Sequence, residues 1–198
     1  LARNKQKQTI RKAGEGHDKG DIGSGYWIGK QAIINLSLNE SSVIGDSDLE
    51  EIMNIFLQSN NEDNFIRALH NIKESQDYIR IIAALTNHLI LLAETGNKVA
   101  LSIIQEATHA ISNYIISLVE ELKFYKKNIV LAGNGSVIRN EYFRKSLNDE
   151  LRFHFHDIKW IFSAISPSYG AAIMAAKLYN NLSIKISDIL KGDALVSS

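Results

Sequence analysis

The chain has 198 residues, enough to bury a sizeable core, and an apolar fraction of 45% that excludes a disordered segment. Lysine plus arginine and aspartate plus glutamate each number 22, so no global field favours nucleic acid or an anionic membrane, and neither is expected as a partner. There is no cysteine, which excludes disulfides, thiolate metal sites and cysteine-held iron–sulfur clusters within these residues and fits a cytoplasmic setting.

Residues 1–13 are basic and polar. They lack the apolar core of a secretory signal, and no later run approaches the roughly 18 uncharged apolar residues of a membrane span. Without an initiator Met, the chain is read as continuing upstream of Leu1. Gln8 to Lys12 is expected to form a short strand. It leads into Gly14-Glu15-Gly16-His17-Asp18-Lys19-Gly20-Asp21-Ile22-Gly23-Ser24-Gly25-Tyr26-Trp27-Ile28-Gly29, which holds six of the twelve glycines. Glycine adopts positive φ and lets another group approach the backbone closely. Such density around an acid, just before a helical pattern, is what a ligand-lined turn looks like. Asp21 and Ser24 can each cap the following helix, since a side-chain oxygen can accept from its free N–H groups. That helix start would also carry free donors and partial positive charge, suited to an oxygen-rich ligand. Asp21 is thus either a cap or a ligand contact. His17 is most simply an exposed loop histidine.

The helix should run from about Gly23 to Leu38 and end at Asn39 to Ser42. Asp46-Ser47-Asp48 is a good cap for a second helix, carrying Leu49, Ile52, Met53, Ile55, Phe56 and Leu57. Ser59 to Asp63 breaks that pattern, and Phe65 to Ile72 is a short amphipathic piece. Residues 78–94 are apolar on more than one face, which predicts a buried helix. Gly96-Asn97 separates it from a long helix over 97–122, where Val99, Ile103, Ala107, Ile111, Tyr114, Ile115, Leu118 and Leu122 recur at helical spacing. That stripe is core or a dimer interface. The Lys123 to Lys127 cluster reads as a solvated helix end.

Ile129 to Ala132 is a short apolar run ending in Gly133-Asn134-Gly135-Ser136. It predicts a strand, a glycine turn, and a helix from about Asn140 to Leu151. A strand ending in such a turn leaves bare backbone for an adenine or ribose, or is an ordinary strand-to-helix turn. Phe153, Phe155 and Ile158 to Phe162 suggest a second strand region. His154 and His156 would share one face of that strand beside Asp157, but no third metal ligand is identifiable, and no metal site is expected there. Ser166-Pro167-Ser168 opens a last helix with Gly170, Ala171, Ala172, Ala175 and Ala176 on a small-residue face. Helices in the middle and strand–helix alternation in the last third argue for α/β.

Gly20 to Gly29 resembles the G-D-E-G-S-G-Y-W-I-G signature of the N-acetylglucosamine kinase and BadF/BadG-type ATPase family, part of the sugar kinase, heat-shock-70 and actin superfamily. Nine of ten positions agree, with Ile22 in place of the glutamate. Ile82 to Leu85, with Leu91 to Asn97, is similar to the family's I-A-A-L…A-x-x-G-D helix pair. Val130 to Asn140 is similar to its adenosine motif, and Ser166 to Ala172 to its P-x-x-G-A-A helix opening. The motifs keep family order from Gly14 to about Tyr179.

The resemblance implies a fold and a role. Residues 1–198 would form a single ribonuclease-H-like C-terminal lobe of a two-lobe sugar kinase, with an added helical layer. ATP, with Mg²⁺ held mostly through phosphates and water, and a sugar would bind between lobes. The N-terminal lobe, whose D-x-G-x-T loop and catalytic aspartate are absent here, would be the partner, and the lobe without it would be inactive. A homodimer is a further expected partner. By resemblance Asp21, Gly14, Glu15 and Gly16 contact the sugar. Glu15 replaces a tryptophan and cannot supply the same apolar wall. Gly133, Gly135 and Ser136 lie by the nucleotide, and Ala93 lines the adenine side, unless it is simply a buried helix alanine. The implied activity is ATP-dependent phosphorylation of N-acetylglucosamine or a related amino sugar. A non-catalytic binding protein derived from the kinase, or an activator-type ATPase, are the alternatives.

Overall fold

The computed structural model describes residues 1–4, 8–14, 16, 21–39, 43, 45–123, 128–163, 168–172 and 175. The chain divides into two units, one of Leu1–Leu131 with Gly135–Trp160 and one of Ala132–Asn134 with Ile161–Ser198.

The first unit begins with β1 (Ala2–Arg3) and β2 (Thr9–Ile10), paired antiparallel with Ala2 opposite Ile10 and Arg3 opposite Thr9. The strand expected at 8–12 is β2. Its partner β1 leaves no trace in the sequence, because two residues carry no pattern of their own.

The helical layer follows. In α1 (Gly25–Leu38) the Ser24 hydroxyl accepts from Trp27 N at 3.1 Å, the N-cap bond that starts the helix. In α2 (Ser47–Ser59) Asp46 caps through Asp48 N at 3.0 Å and Leu49 N at 3.3 Å. Asn64 caps α3 (Phe65–Glu74) the same way. The long apolar α4 (Tyr78–Thr95) ends at Gly96 in the left-handed conformation. Asn97 then caps α5 (Lys98–Glu121). The Asn97 side chain is buried and fully used. Its oxygen accepts from Ala100 N at 2.9 Å, and its amide donates to Asp48 O at 2.9 Å and Glu51 Oε2 at 3.0 Å. The turn between α4 and α5 is thereby tied to the start of α2.

Two clusters make the core of this unit. The larger joins α1 to α5, with Ile28, Leu36, Phe56, Ile90 and Ile104 fully buried. Burial on several sides of α4 follows its all-round apolar sequence, although Leu91 points outward. The expected stripe on α5 is core within the chain at Ile103, Ala107 and Leu118, with Leu122 buried just beyond. α1 crosses α4 closely: a methyl on Gly29 would sit 2.0 Å from the Ile82 carbonyl oxygen. The smaller cluster packs Ile129 of β3 (Asn128–Gly133) and Leu147 and Leu151 of α7 (Glu141–Leu151) with Phe155. Ile158 and Trp160 of β4 (Asp157–Phe162) lie against it. β3 and β4 form a two-stranded sheet.

Three expectations are corrected. A one-turn helix, α6 (Ser136–Arg139), begins at the last residue of the expected glycine turn and leads into α7. Residues 153–156 are not strand: the Leu151 carbonyl accepts from His154 N at 3.0 Å and Phe155 N at 2.9 Å, turning the chain before β4. Phe153 is consequently 87% exposed. His154 and His156 therefore share no strand face. Of the lysine cluster, Lys123 is exposed just after α5, and 124–127 lie outside the described residues.

In the second unit, Gly133 is buried and residues 168–172 and 175 are helical, with Ala171, Ala172 and Ala175 exposed. Ser166 and Pro167 lie outside the described residues, as does Ala176. The result is a mixed α/β chain of helices with two small sheets among the described residues. Among those residues no single helix is long and apolar enough to cross a membrane.

Candidate functional site

The path from β2 to α1 runs through left-handed backbone. Ala13 has φ 59°, Gly14 79° and Gly16 101°, and both glycines are exposed. Glu15 and His17 lie outside the described residues, as do 18–20. The chain re-emerges at Asp21, whose carbonyl accepts from Ser24 N at 2.9 Å in a tight turn. Gly23 sits in this turn at φ 85°, where a methyl would lie 2.5 Å from Ile111 Cδ1 of α5. Glycine is required there both by the dihedral and by the contact. The Thr86 hydroxyl of α4 donates to the Gly25 carbonyl at 2.6 Å. The start of α1 is thus fixed by α4 and α5 together.

Asp21 is not the helix cap. Ser24 takes that role, and the Asp21 carboxylate makes no cap bond. Its Oδ1 is buried and has no hydrogen-bond partner among the described residues. A buried acceptor left unpaired costs about 1–3 kcal/mol, and native chains rarely leave one without a reason. An acceptor held in a glycine turn at a helix start is chemically suited to a ligand hydroxyl.

The second candidate turn follows β3. Gly135 has φ 102° and ψ 160°, a region essentially reserved for glycine, and a methyl placed there would meet nothing within 4 Å. Its backbone therefore faces open space. Ser136, also exposed, opens α6. The Arg144 guanidinium of α7 donates to the Ile138 and Arg139 carbonyls at 3.3 and 3.0 Å, closing the end of α6. Val137 Cγ2 then lies 3.5 Å from where a Gly25 methyl would be, so α6 packs beside the start of α1. Gly135, Ser136 and the Asp21 turn belong to the same unit. Gly133 ends β3 in the other. Ala93 is 3% exposed within the larger core cluster, and its carbonyl accepts from Tyr142 Oη at 3.2 Å. The Ala93 methyl is thus part of the larger core cluster.

Sequence reasoning missed Thr86 and Tyr142. Thr86 had a signal: a hydroxyl inside an apolar helix must find an acceptor. Tyr142 carried none. A separate small cleft between α1, α2 and α4 is lined by Ala32, Leu36, Ile52, Phe56, Leu85 and Leu89 among others, and by none of the candidate residues. It has no polar group to orient a ligand. No group of three or more histidine, aspartate or glutamate side chains placed to hold a metal occurs among the described residues. Mg²⁺ arriving on nucleotide phosphates needs no such cluster.

With this geometry in view, the comparisons are informative. The chain is 29% identical over 179 residues to an N-acetylmuramic acid/N-acetylglucosamine kinase of Clostridium acetobutylicum. That match covers 87% of this chain and 56% of the kinase, so the chain spans about half the relative's length. The model of the BadF/BadG/BcrA/BcrD ATPase family matches residues 3–177, a span that takes in the glycine turn, the helical layer, both strands of the second sheet and the start of the last helix. The chain belongs to the BadF/BadG/BcrA/BcrD ATPase family.

Proposed function

We propose that this chain supplies the sugar- and nucleotide-binding C-terminal lobe, ribonuclease-H-like in fold, of an ATP-dependent kinase for N-acetylglucosamine or a related amino sugar. The observation that carries the reading is the buried Asp21 Oδ1 beside the start of α1, which has no partner among the described residues. It would accept a hydrogen bond from a sugar hydroxyl, and the exposed glycines at 14 and 16, with Glu15 between them, would meet the ring. Gly135 and Ser136, open to solvent beside α6, take the nucleotide side. Gly133 enters that assignment only through the family resemblance.

The reaction is in-line transfer of the terminal phosphoryl group to a sugar hydroxyl. The attacking oxygen gains phosphorus, ADP leaves, and the hydroxyl proton passes to a base outside these residues. The contribution of Asp21 is orientation. It fixes the ring so that the acceptor oxygen faces the phosphoryl group, and phosphoryl transfer depends largely on such positioning. Mg²⁺, carried by the nucleotide, would neutralise phosphate charge. The name of the clostridial relative pairs two amino sugars, which supports this substrate class. Glu15 and Ile22, which replace a tryptophan and a glutamate of the family signature, favour a second reading, a binding protein without kinase activity.

A coupled ADP-release assay on the full-length protein separates the two. It uses ATP, Mg²⁺ and, in turn, N-acetylglucosamine, N-acetylmuramic acid, glucosamine and glucose. Turnover that needs an amino sugar and is lost in Asp21→Ala is the expected result. Nucleotide binding with no sugar-stimulated turnover in the parent protein transfers the case to the binding-protein reading.

A further inference from the structure

Between β2 and the exposed glycines, the backbone makes a turn for which its sequence is poorly suited. Ala13 is held at φ 59°, a left-handed conformation that its Cβ disfavours. A compensating contact is present. The Arg11 side chain folds back over the turn, with Nε donating to the Ala13 carbonyl at 3.2 Å and Nη2 donating to the Gly14 carbonyl. The next residue, Lys12, pairs with Glu121 at the end of α5. The turn is therefore gripped by the exposed Arg11 side chain and tied to α5 through Lys12.

A guanidinium suits this task. It is always charged, and its donors are fixed in a plane, so two successive carbonyls can be bridged with little entropy lost per bond. Both carbonyls point toward the cation, which fixes the peptide planes on either side of Gly14. Those planes set the direction in which the chain enters Gly14 to Gly16.

We propose that Arg11 is a positioning residue: by bridging the Ala13 and Gly14 carbonyls it holds the left-handed turn that presents Gly14 and Gly16 to the sugar. The sugar contact rests on the function proposed above; the grip on the turn does not. Arg11 touches no reacting atom in this account. Its removal should therefore weaken sugar binding without changing the chemical step or the nucleotide side.

The test uses the full-length protein, the variant Arg11→Ala, and the double variant Arg11→Ala with Ala13→Gly. Steady-state kinetics are read beside amide hydrogen exchange of the peptide covering residues 12–16. Arg11→Ala should raise the sugar KM about fivefold, the scale of an exposed charge-assisted pair, while kcat and the KM for ATP stay within about twofold. Exchange in the peptide should quicken. Adding Ala13→Gly, which reaches positive φ without strain, should recover most of the lost sugar affinity. An unchanged exchange rate in Arg11→Ala overturns the proposal, as does a KM defect that the glycine fails to relieve. If the parent protein turns over no sugar, the functional reading fails by itself, and the exchange comparison still decides whether Arg11 holds the turn.

Discussion

The two glycine-bearing turns of the first unit use glycine for opposite reasons. Around the start of α1, glycine makes room for protein. A methyl on Gly23 would strike Ile111, and one on Gly29 would strike the Ile82 carbonyl. At Gly135 a methyl would strike nothing, and the residue is glycine only because φ is 102°. The first set is a packing requirement that brings α1 against α4 and α5. The second leaves a stretch of backbone bare toward solvent. Side by side, they show how one chain builds a rigid support and a stretch of open backbone from the same residue type.

The comparison can be broken most forcefully at Gly29. Gly29→Ala pushes a methyl to 2.0 Å from a backbone oxygen inside the core, so the helices must separate. We expect a loss of about 3 kcal/mol or more in chemical denaturation of the full-length protein. A loss under about 1 kcal/mol would mean that α1 and α4 do not cross so tightly. Gly135→Ala should cost less, about 1–3 kcal/mol, because only the backbone is strained. Its distinguishing sign is a raised KM for ATP at unchanged sugar KM. A stability loss equal to that of Gly29→Ala would remove the contrast between the turns.

The smallest effect belongs to the ion pair that tethers the first turn. The Lys12 ammonium, hydrogen-bonded to Glu121, holds that carboxyl below the usual carboxylate range. A carboxyl lowered in the folded state contributes stability that is present above its unfolded pKa and lost as pH falls through its folded pKa. Because Glu121 is exposed, the contribution is slight. Thermal melts of Lys12→Met should lie slightly below those of the parent at pH 7, and the gap should close in strong acid. A gap independent of pH would mean that the ion pair with Glu121 does not carry the effect of Lys12.

Much of the helical layer was legible because its signals are local. Ser24, Asp46 and Asn97 announce helix starts by their side-chain chemistry, and Gly96 announces a stop. β1 and α6 were not legible: elements of two and four residues exist through their partners, and partners are remote in sequence. The aromatic run at Phe153 and Phe155 misled, since alternation suggests a strand while the Leu151 carbonyl turns the chain. The site divides in the same way. The glycine turns and Asp21 stand out in the sequence. That Ser24 caps the helix and leaves Asp21 Oδ1 without a partner among the described residues depends on which oxygen reaches which N–H, and only the three-dimensional arrangement decides that. The close crossing at Gly29 was invisible for the same reason.

The central claim is that the Asp21 carboxylate waits for a sugar hydroxyl. Calorimetric titration of N-acetylglucosamine into the full-length protein and its Asp21→Asn variant, beside their melting temperatures, tests it most directly. The account predicts that the parent binds the sugar, that the variant loses at least about tenfold in affinity, and that the variant melts no lower, since Oδ1 has no partner among the described residues to lose. Equal affinity in the two proteins, or a variant that binds normally but unfolds more readily, would contradict it and make Asp21 a structural residue.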